Sequence, residues 1–183
     1  MKRKLGVVIG VVVLALAVYL FVLNNESNHP QETEPKNVKQ LVQEYSASQT
    51  KSESASITSE QLIVTNGSGS ETTYPLPQDE FFVSIAPYIE NTHPCAIHSL
   101  TGCQGELTEK EFKVYIEDNE GNVVVNQMLK SQANGFIDLW LPRDKTYKAT
   151  IEYEGKAVEA EFSTFAEDDT CITTIQLNEN KSV

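Results

Sequence analysis

The sequence predicts a mostly β protein, an antiparallel β-sandwich-like domain preceded by a transmembrane or signal segment and a polar tether with one short helix. Three observations carry this. From Gln61 onward apolar residues recur at every second position, the period of a strand with one buried face. Turn-forming groups interrupt that pattern at roughly ten-residue intervals. No apolar stretch of helical period and helical length lies between them, which favours a sandwich over an α/β fold.

Taken in order, the first element is apolar. After Lys2, Arg3 and Lys4 the chain runs from Leu5 to Leu23 without a charged residue. At about 1.5 Å per helical residue this reaches roughly 28 Å, close to the hydrocarbon thickness of a bilayer. Basic residues on its N-terminal side place that side in the cytoplasm and the rest of the chain outside. Cleavable signal segments have shorter apolar cores followed by small residues. Here the run continues through Val18–Leu23 past the weak Ala15-Leu16-Ala17 site, which favours an uncleaved anchor. Residues 1–24 are thus assigned to a signal-anchor or signal peptide, and membrane contact to this segment alone.

Residues 25–59, rich in Ser, Glu, Gln, Asn and Thr, read as a solvated tether. Within it Val38, Leu41, Val42 and Tyr45 fall at i, i+3, i+4 and i+7, with Asn37 as a cap, predicting a short amphipathic helix over 37–45. So short a helix is marginal alone and needs a surface to dock on, its own domain or the second copy of a homodimer. The β domain is expected over 60–178, with a tail at 179–183. Its strand signals are Gln61–Thr65 before Asn66-Gly67-Ser68-Gly69, then Phe81–Ile85, then Phe112–Ile116. Val123–Met128 follows the turn Asn119-Glu120-Gly121-Asn122, and Phe136–Leu141 follows Asn134-Gly135. Tyr147–Tyr153 and Ala157–Phe162 flank Glu154-Gly155, and Thr170–Leu177 forms the last strand. The expected core includes Phe81, Val83, Ile85, Val114, Ile116, Leu139, Trp140 and Ile151.

Charge narrows the function classes. Twenty-six acidic residues against fourteen basic ones give a net charge of −12 and a pI near 4.6. Such a surface repels phosphate backbones, so nucleic acid is excluded as a partner, while cations are attracted. No nucleophile–base pair, phosphate-binding glycine loop or paired catalytic carboxylate stands out, and no enzymatic activity is expected.

One stretch breaks the strand pattern. His93-Pro94-Cys95 and His98-Ser99-Leu100-Thr101-Gly102-Cys103 hold two of the three cysteines and two of the three histidines, with Pro94, Gly102 and Gly105 shaping a loop. The third cysteine, Cys171, shares a strand face with Thr173 and Ile175. Three readings compete. A Cys95–Cys103 disulfide would suit an exported chain and would make this a surface interaction module without metal. That pairing leaves Cys171 odd, which is awkward outside the cell. Thiolates with imidazole form a soft-metal site for Cu(I), with zinc as competitor, although the spacing lacks the paired C-x-x-C of zinc ribbons. Thiol–disulfide exchange is the third, and no C-x-x-C motif supports it.

The runs Tyr74-Pro75-Leu76-Pro77, Phe81-Phe82-Val83-Ser84-Ile85-Ala86-Pro87-Tyr88, Thr92-His93-Pro94-Cys95 and His98 through Leu107 closely resemble the CueP family of periplasmic copper-binding proteins. So do Asn134 through Arg143 and Thr170-Cys171-Ile172-Thr173-Thr174, and together these motifs span about Ser59 to Leu177. The resemblance implies an extracytoplasmic protein that binds copper, sequesters it or hands it on, and protects against copper stress. It maps the family's three cysteines onto Cys95, Cys103 and Cys171. His98 and His93 are further candidates, as ligands or as hydrogen-bond partners of ligands. Implied partners are copper ions and a copper-receiving protein or thiol reductant. Bound thiolates would reduce Cu(II) only stoichiometrically, ending as a disulfide, unless a partner re-reduced them. The N-terminal anchor departs from the ordinary periplasmic signal peptide of the family and suits a protein held at the membrane's outer face.

Overall fold

The computed structural model describes residues 35–47 and 53–179. The apolar run at 5–23 lies outside them, and among the described residues no helix is long and apolar enough to cross a membrane. Helix α1 spans Pro35–Ala47. It begins two residues before the expected cap, because proline suits the first helical position, where no N–H is needed and φ is already set. Asn37 therefore lies inside the first turn. Val38, Val42 and Ser46, spaced by four, form its buried stripe. That stripe packs on the domain itself, against Ala55, Ile57, Leu62 and Phe82.

Among the described residues twelve strands follow: β1 Glu53–Ile57, β2 Gln61–Asn66, β3 Glu71–Pro75, β4 Glu80–Ile85, β5 His98–Ser99, β6 Glu111–Asp118, β7 Val123–Lys130, β8 Ile137–Pro142, β9 Thr146–Tyr153, β10 Lys156–Ser163, β11 Cys171–Ile172 and β12 Asn178–Glu179. They make three sheets, with orders β3-β2-β1-β5, β12-β10-β9-β6-β7 and β11-β4-β8. Two boundaries differ from the sequence reading. β1 lies in the stretch taken for tether, since its polar residues Glu53 and Ser54 face solvent while Ala55 and Ile57 are buried. The strand expected over Thr170–Leu177 is only two residues long and pairs in parallel with β4, Cys171 opposite Ser84. The other named strand pairs are antiparallel.

The small sheet is the middle layer. Phe81, Val83 and Ile85 of β4 join Phe112, Val114 and Ile116 of β6 and Tyr147, Ala149 and Ile151 of β9 in the larger core. Phe82, on the opposite face of β4, joins α1, β1 and β2 in a second core. A strand buried on both faces explains why Phe81–Ile85 is almost continuously apolar. Leu139 and Trp140 are half-buried, not fully buried as expected. The Trp140 ring meets Phe82 edge-on at 5.2 Å, and Lys39 Nζ sits 5.0 Å from its centroid, so one side of the indole serves a cation instead of the core.

Away from these cores, the β6–β7 turn is tied by one buried carboxylate. Asp118 accepts from Lys145 Nζ at 2.5 Å and from the Asn122 and Glu120 amides at 2.9 and 3.0 Å. Lys145 above all, then Asn122, holds the Asp118 carboxyl well below the usual carboxylate range. A depressed folded-state pKa contributes stability that is complete above the unfolded value, about 4, and lost as pH falls through the folded value. We expect Asp118→Asn to be less stable than wild type at pH 7, with the gap closing below about pH 4. Urea midpoints measured across that range check it, and a gap independent of pH would contradict it.

Candidate metal centre

The Cys-His stretch leaves β4 at Ala86 and runs to β6, with the two-residue strand β5 inside it, and several contacts anchor it. Glu106 turns inward and its carboxylate accepts from the Ile89 amide at 2.6 Å and the Glu90 amide at 3.0 Å. Burial opposes ionisation of this carboxyl, but the Ile89 and Glu90 amides outweigh it and hold its pKa low. Thr92 Oγ1 donates to the Thr173 carbonyl at 2.5 Å, and the Gly105 amide to the Asn134 carbonyl at 2.7 Å. At that last crossing two backbones touch. A Cβ on Gly135, where φ is +83°, would lie 2.6 Å from the Gly105 carbonyl oxygen, and a Cβ on Gly105 would lie 2.8 Å from that of Gly135. Neither obstacle is a side chain that can swing aside. Gly135→Ala is therefore expected to cost at least about 1–3 kcal/mol, read as a lowered thermal midpoint. An unchanged midpoint would show that the crossing is not tight.

This anchoring sets the five candidate residues together at the junction of the small sheet and β5. All three cysteines are free thiols. The donor atoms of His93, Cys95 and Cys103 lie within 4.8 Å of one another, and so do those of His98, Cys103 and Cys171. Cys103 belongs to both groups. The Cys95 and Cys103 sulfurs are 3.5 Å apart, beyond disulfide bonding distance. His98 Nδ1 is 3.4 Å from the Cys171 sulfur. The two groups differ in exposure: His93, Cys95 and Cys103 are half-buried, whereas His98 and Cys171 are buried. A cleft of about 220 Å³ is lined in part by Cys95, Cys171, Asp168 and Asp169.

The backbone shows why each side chain points inward. Cys171 lies opposite Ser84 on β11, and its amide donates to the Ala96 carbonyl at 3.1 Å, so strand pairing and the loop fix it from both sides. His98 pairs with Ile57 of β1, and its amide donates to Thr170 Oγ1 at 3.0 Å. Cys103 is set by the turn after β5, its amide donating to the Ser99 carbonyl at 3.0 Å. Phe136 lies beneath the group, fully buried, with its ring centroid 4.5 Å from that of His98 and 6.5 Å from that of His93.

The three sulfurs are not equivalent. The Cys171 thiol above all, with the Ser99 amide at 3.4 Å, holds the Cys103 pKa far below the ordinary thiol range despite burial. Cys171 shifts upward, because it shares its proton with Cys103 and because it is buried. Burial also raises Cys95. Three unequal sulfurs flanked by two imidazoles are a soft donor set, of the kind that suits Cu(I) and, with tetrahedral geometry, zinc.

Sequence reasoning missed three residues around the centre: Phe136, Ser84 and Thr170. Each sits within a run that carries the family resemblance, but its nearness to the sulfurs depends on strand pairing. A sequence model of the family described as "Periplasmic copper-binding protein CueP" matches residues 37–176. A solved structure described as "Crystal Structure of S.CueP" is 38% identical, with 77% of this chain and 88% of that chain covered and a TM-score of 0.73. Among curated proteins none matches significantly.

Proposed function

The chain belongs to the CueP family of periplasmic copper-binding proteins, and from that premise we propose that it holds one Cu(I) through Cys95, Cys103 and Cys171, with His98 and His93 as the neighbouring nitrogen donors. The observation that carries this reading is the sharing of Cys103 between two groups of soft donors. A single ion there can reach the loop sulfur Cys95 and the strand sulfur Cys171 together. Cu(I) tolerates two or three thiolates, so the set needs no further ligand.

Cys103, the sulfur whose surroundings most favour the thiolate, is the first to bind. Cys171 gives up its proton only when metal replaces it, so binding releases protons. The cleft beside Cys95 is the route by which the ion arrives or leaves, and Asp168 and Asp169 on its wall favour a cation there. The role is holding copper, or passing it to a receiving protein, outside the cytoplasm, with residues 5–23 keeping the domain at the membrane surface.

Thiol counting combined with metal analysis tests this on the full-length chain under anaerobic reduction. Three titratable thiols without metal and one retained copper per chain are expected. A Cys95–Cys103 disulfide that survives mild reductant, with no copper retained, would return the protein to the interaction-module reading.

A further inference from the structure

Behind the sulfurs a line of polar groups crosses the small sheet. Strand register sets Ser84 of β4 between Asp138 of β8 on one side and Cys171 of β11 on the other. Ser84 Oγ is 2.5 Å from Asp138 Oδ1 and 3.3 Å from His98 Nε2. The other oxygen of Asp138 accepts from Ser46 Oγ of α1 at 2.6 Å and from Gln132 Nε2 at 2.8 Å. Helix, middle sheet and metal loop thus meet at one carboxylate.

Proton counting gives this line a direction. A hydroxyl has one proton and a carboxylate has none, so at 2.5 Å the Ser84 proton is committed to Asp138. Toward His98, Ser84 has only lone pairs left. His98 is fully buried, away from bulk solvent, and Ser84 is the polar side chain beside Nε2. Nε2 must then carry a proton and donate it to Ser84. Nδ1 becomes the nitrogen offered to Cys171 and Cys103. The opposite tautomer would need Ser84 to turn its proton from a carboxylate to a neutral ring nitrogen, exchanging a charge-assisted hydrogen bond for a weaker one.

The structure assigns to Ser84 and Asp138 the role of positioning residues that keep the proton of His98 on Nε2, so that Nδ1 faces the thiol centre. Neither supplies a donor atom to the metal groups; Ser84 meets the site only through the His98 imidazole, and Asp138 acts through Ser84. Ser46 and Gln132 aim the carboxylate, which gives α1, packed on the same face of β4 as Ser84, a part in the centre. Metal-ligating histidines are commonly held this way, and loss of such support costs ten- to hundredfold in affinity. The consequence for metal binding rests on the copper reading above, whereas the placement of the proton does not.

The test therefore begins without metal. Long-range proton–nitrogen NMR of the reduced, metal-free full-length chain identifies which ring nitrogen of His98 is protonated. Wild type should show the proton on Nε2, and Ser84→Ala and Asp138→Ala should each lose that preference. Ser84→Ala removes a single oxygen from a packed strand and is the variant least exposed to misfolding. A wild-type ring protonated on Nδ1 alone, or variants that keep the wild-type preference, would overturn the assignment. Competition with a Cu(I)-specific chelator then reads the second step, with a ten- to hundredfold loss expected in both variants. If wild type itself retains no Cu(I) while the NMR differences appear, the copper reading fails and the positioning role stands.

Discussion

Cys103→Ser is expected to remove the stabilisation that Cu(I) confers on the chain. A ligand present at a thousand times its dissociation constant stabilises the native state by about 4 kcal/mol, and this gain should be absent from the variant. The reason is the shared position of Cys103. Cys95→Ser leaves His98, Cys103 and Cys171 intact, and Cys171→Ser leaves His93, Cys95 and Cys103 intact, whereas Cys103→Ser breaks both groups. Cys103 is also the sulfur whose surroundings most favour the thiolate, and a serine hydroxyl cannot replace it as a soft ligand. Thermal unfolding of the full-length chain under anaerobic reduction, with and without Cu(I), ranks the three variants. If Cys103→Ser keeps the full rise in midpoint, the centre is not built around this sulfur. If Cys95→Ser keeps it and Cys171→Ser loses it, the ion rests on the inner group alone.

A second large effect joins fold and site. Phe136→Ala is expected to cost about 3–5 kcal/mol, the range for truncating a fully buried aromatic, and so to lower the thermal midpoint by roughly 10 °C. Phe136 packs with Ala86 and Cys171 in a small cluster of its own, with Cys95 and Cys103 at its edge. The cavity would therefore open directly under the sulfurs and the His98 ring. Copper affinity should fall along with stability, although no ligand is removed. Phe112→Ala, fully buried in the larger core, is the control. It should cost a similar amount while leaving the affinity for copper unchanged in the folded protein. Equal losses of affinity in both variants would show that the centre senses global stability and not its own floor.

Much of this organisation was legible from residue order. Period-two patterning and turn groups such as Asn66-Gly67-Ser68-Gly69 and Glu154-Gly155 located the strands, because both are local properties that a strand or turn needs wherever it lies. Donor chemistry was legible too. Two cysteines and two histidines in one loop, with a third cysteine on a late strand, already narrowed the site to a soft metal, a disulfide or an exchange pair.

Only the tertiary structure decided among the contacts. Polar Glu53-Ser54 concealed β1, since a strand at the margin of a domain needs only one buried face. Phe81–Ile85 carried no sign that its two faces serve different cores, because a run buried on both sides has no alternation to read. Trp140 looked like core by type, yet half of its ring meets solvent and Lys39. Composition made Cys95, Cys103 and Cys171 candidates of equal standing. Their inequality, with Cys103 shared between two donor groups and shifted toward the thiolate and Cys171 buried and shifted toward the thiol, arises from which groups the folded chain sets beside each sulfur. Ser84 and Asp138 are 54 residues apart in sequence and ordinary in type. Their relation to His98 exists only once β4 and β8 pair in register. Donor types are a property of the chain, whereas pKa, tautomer and metal geometry depend on distances of a few ångströms between segments that only folding brings together.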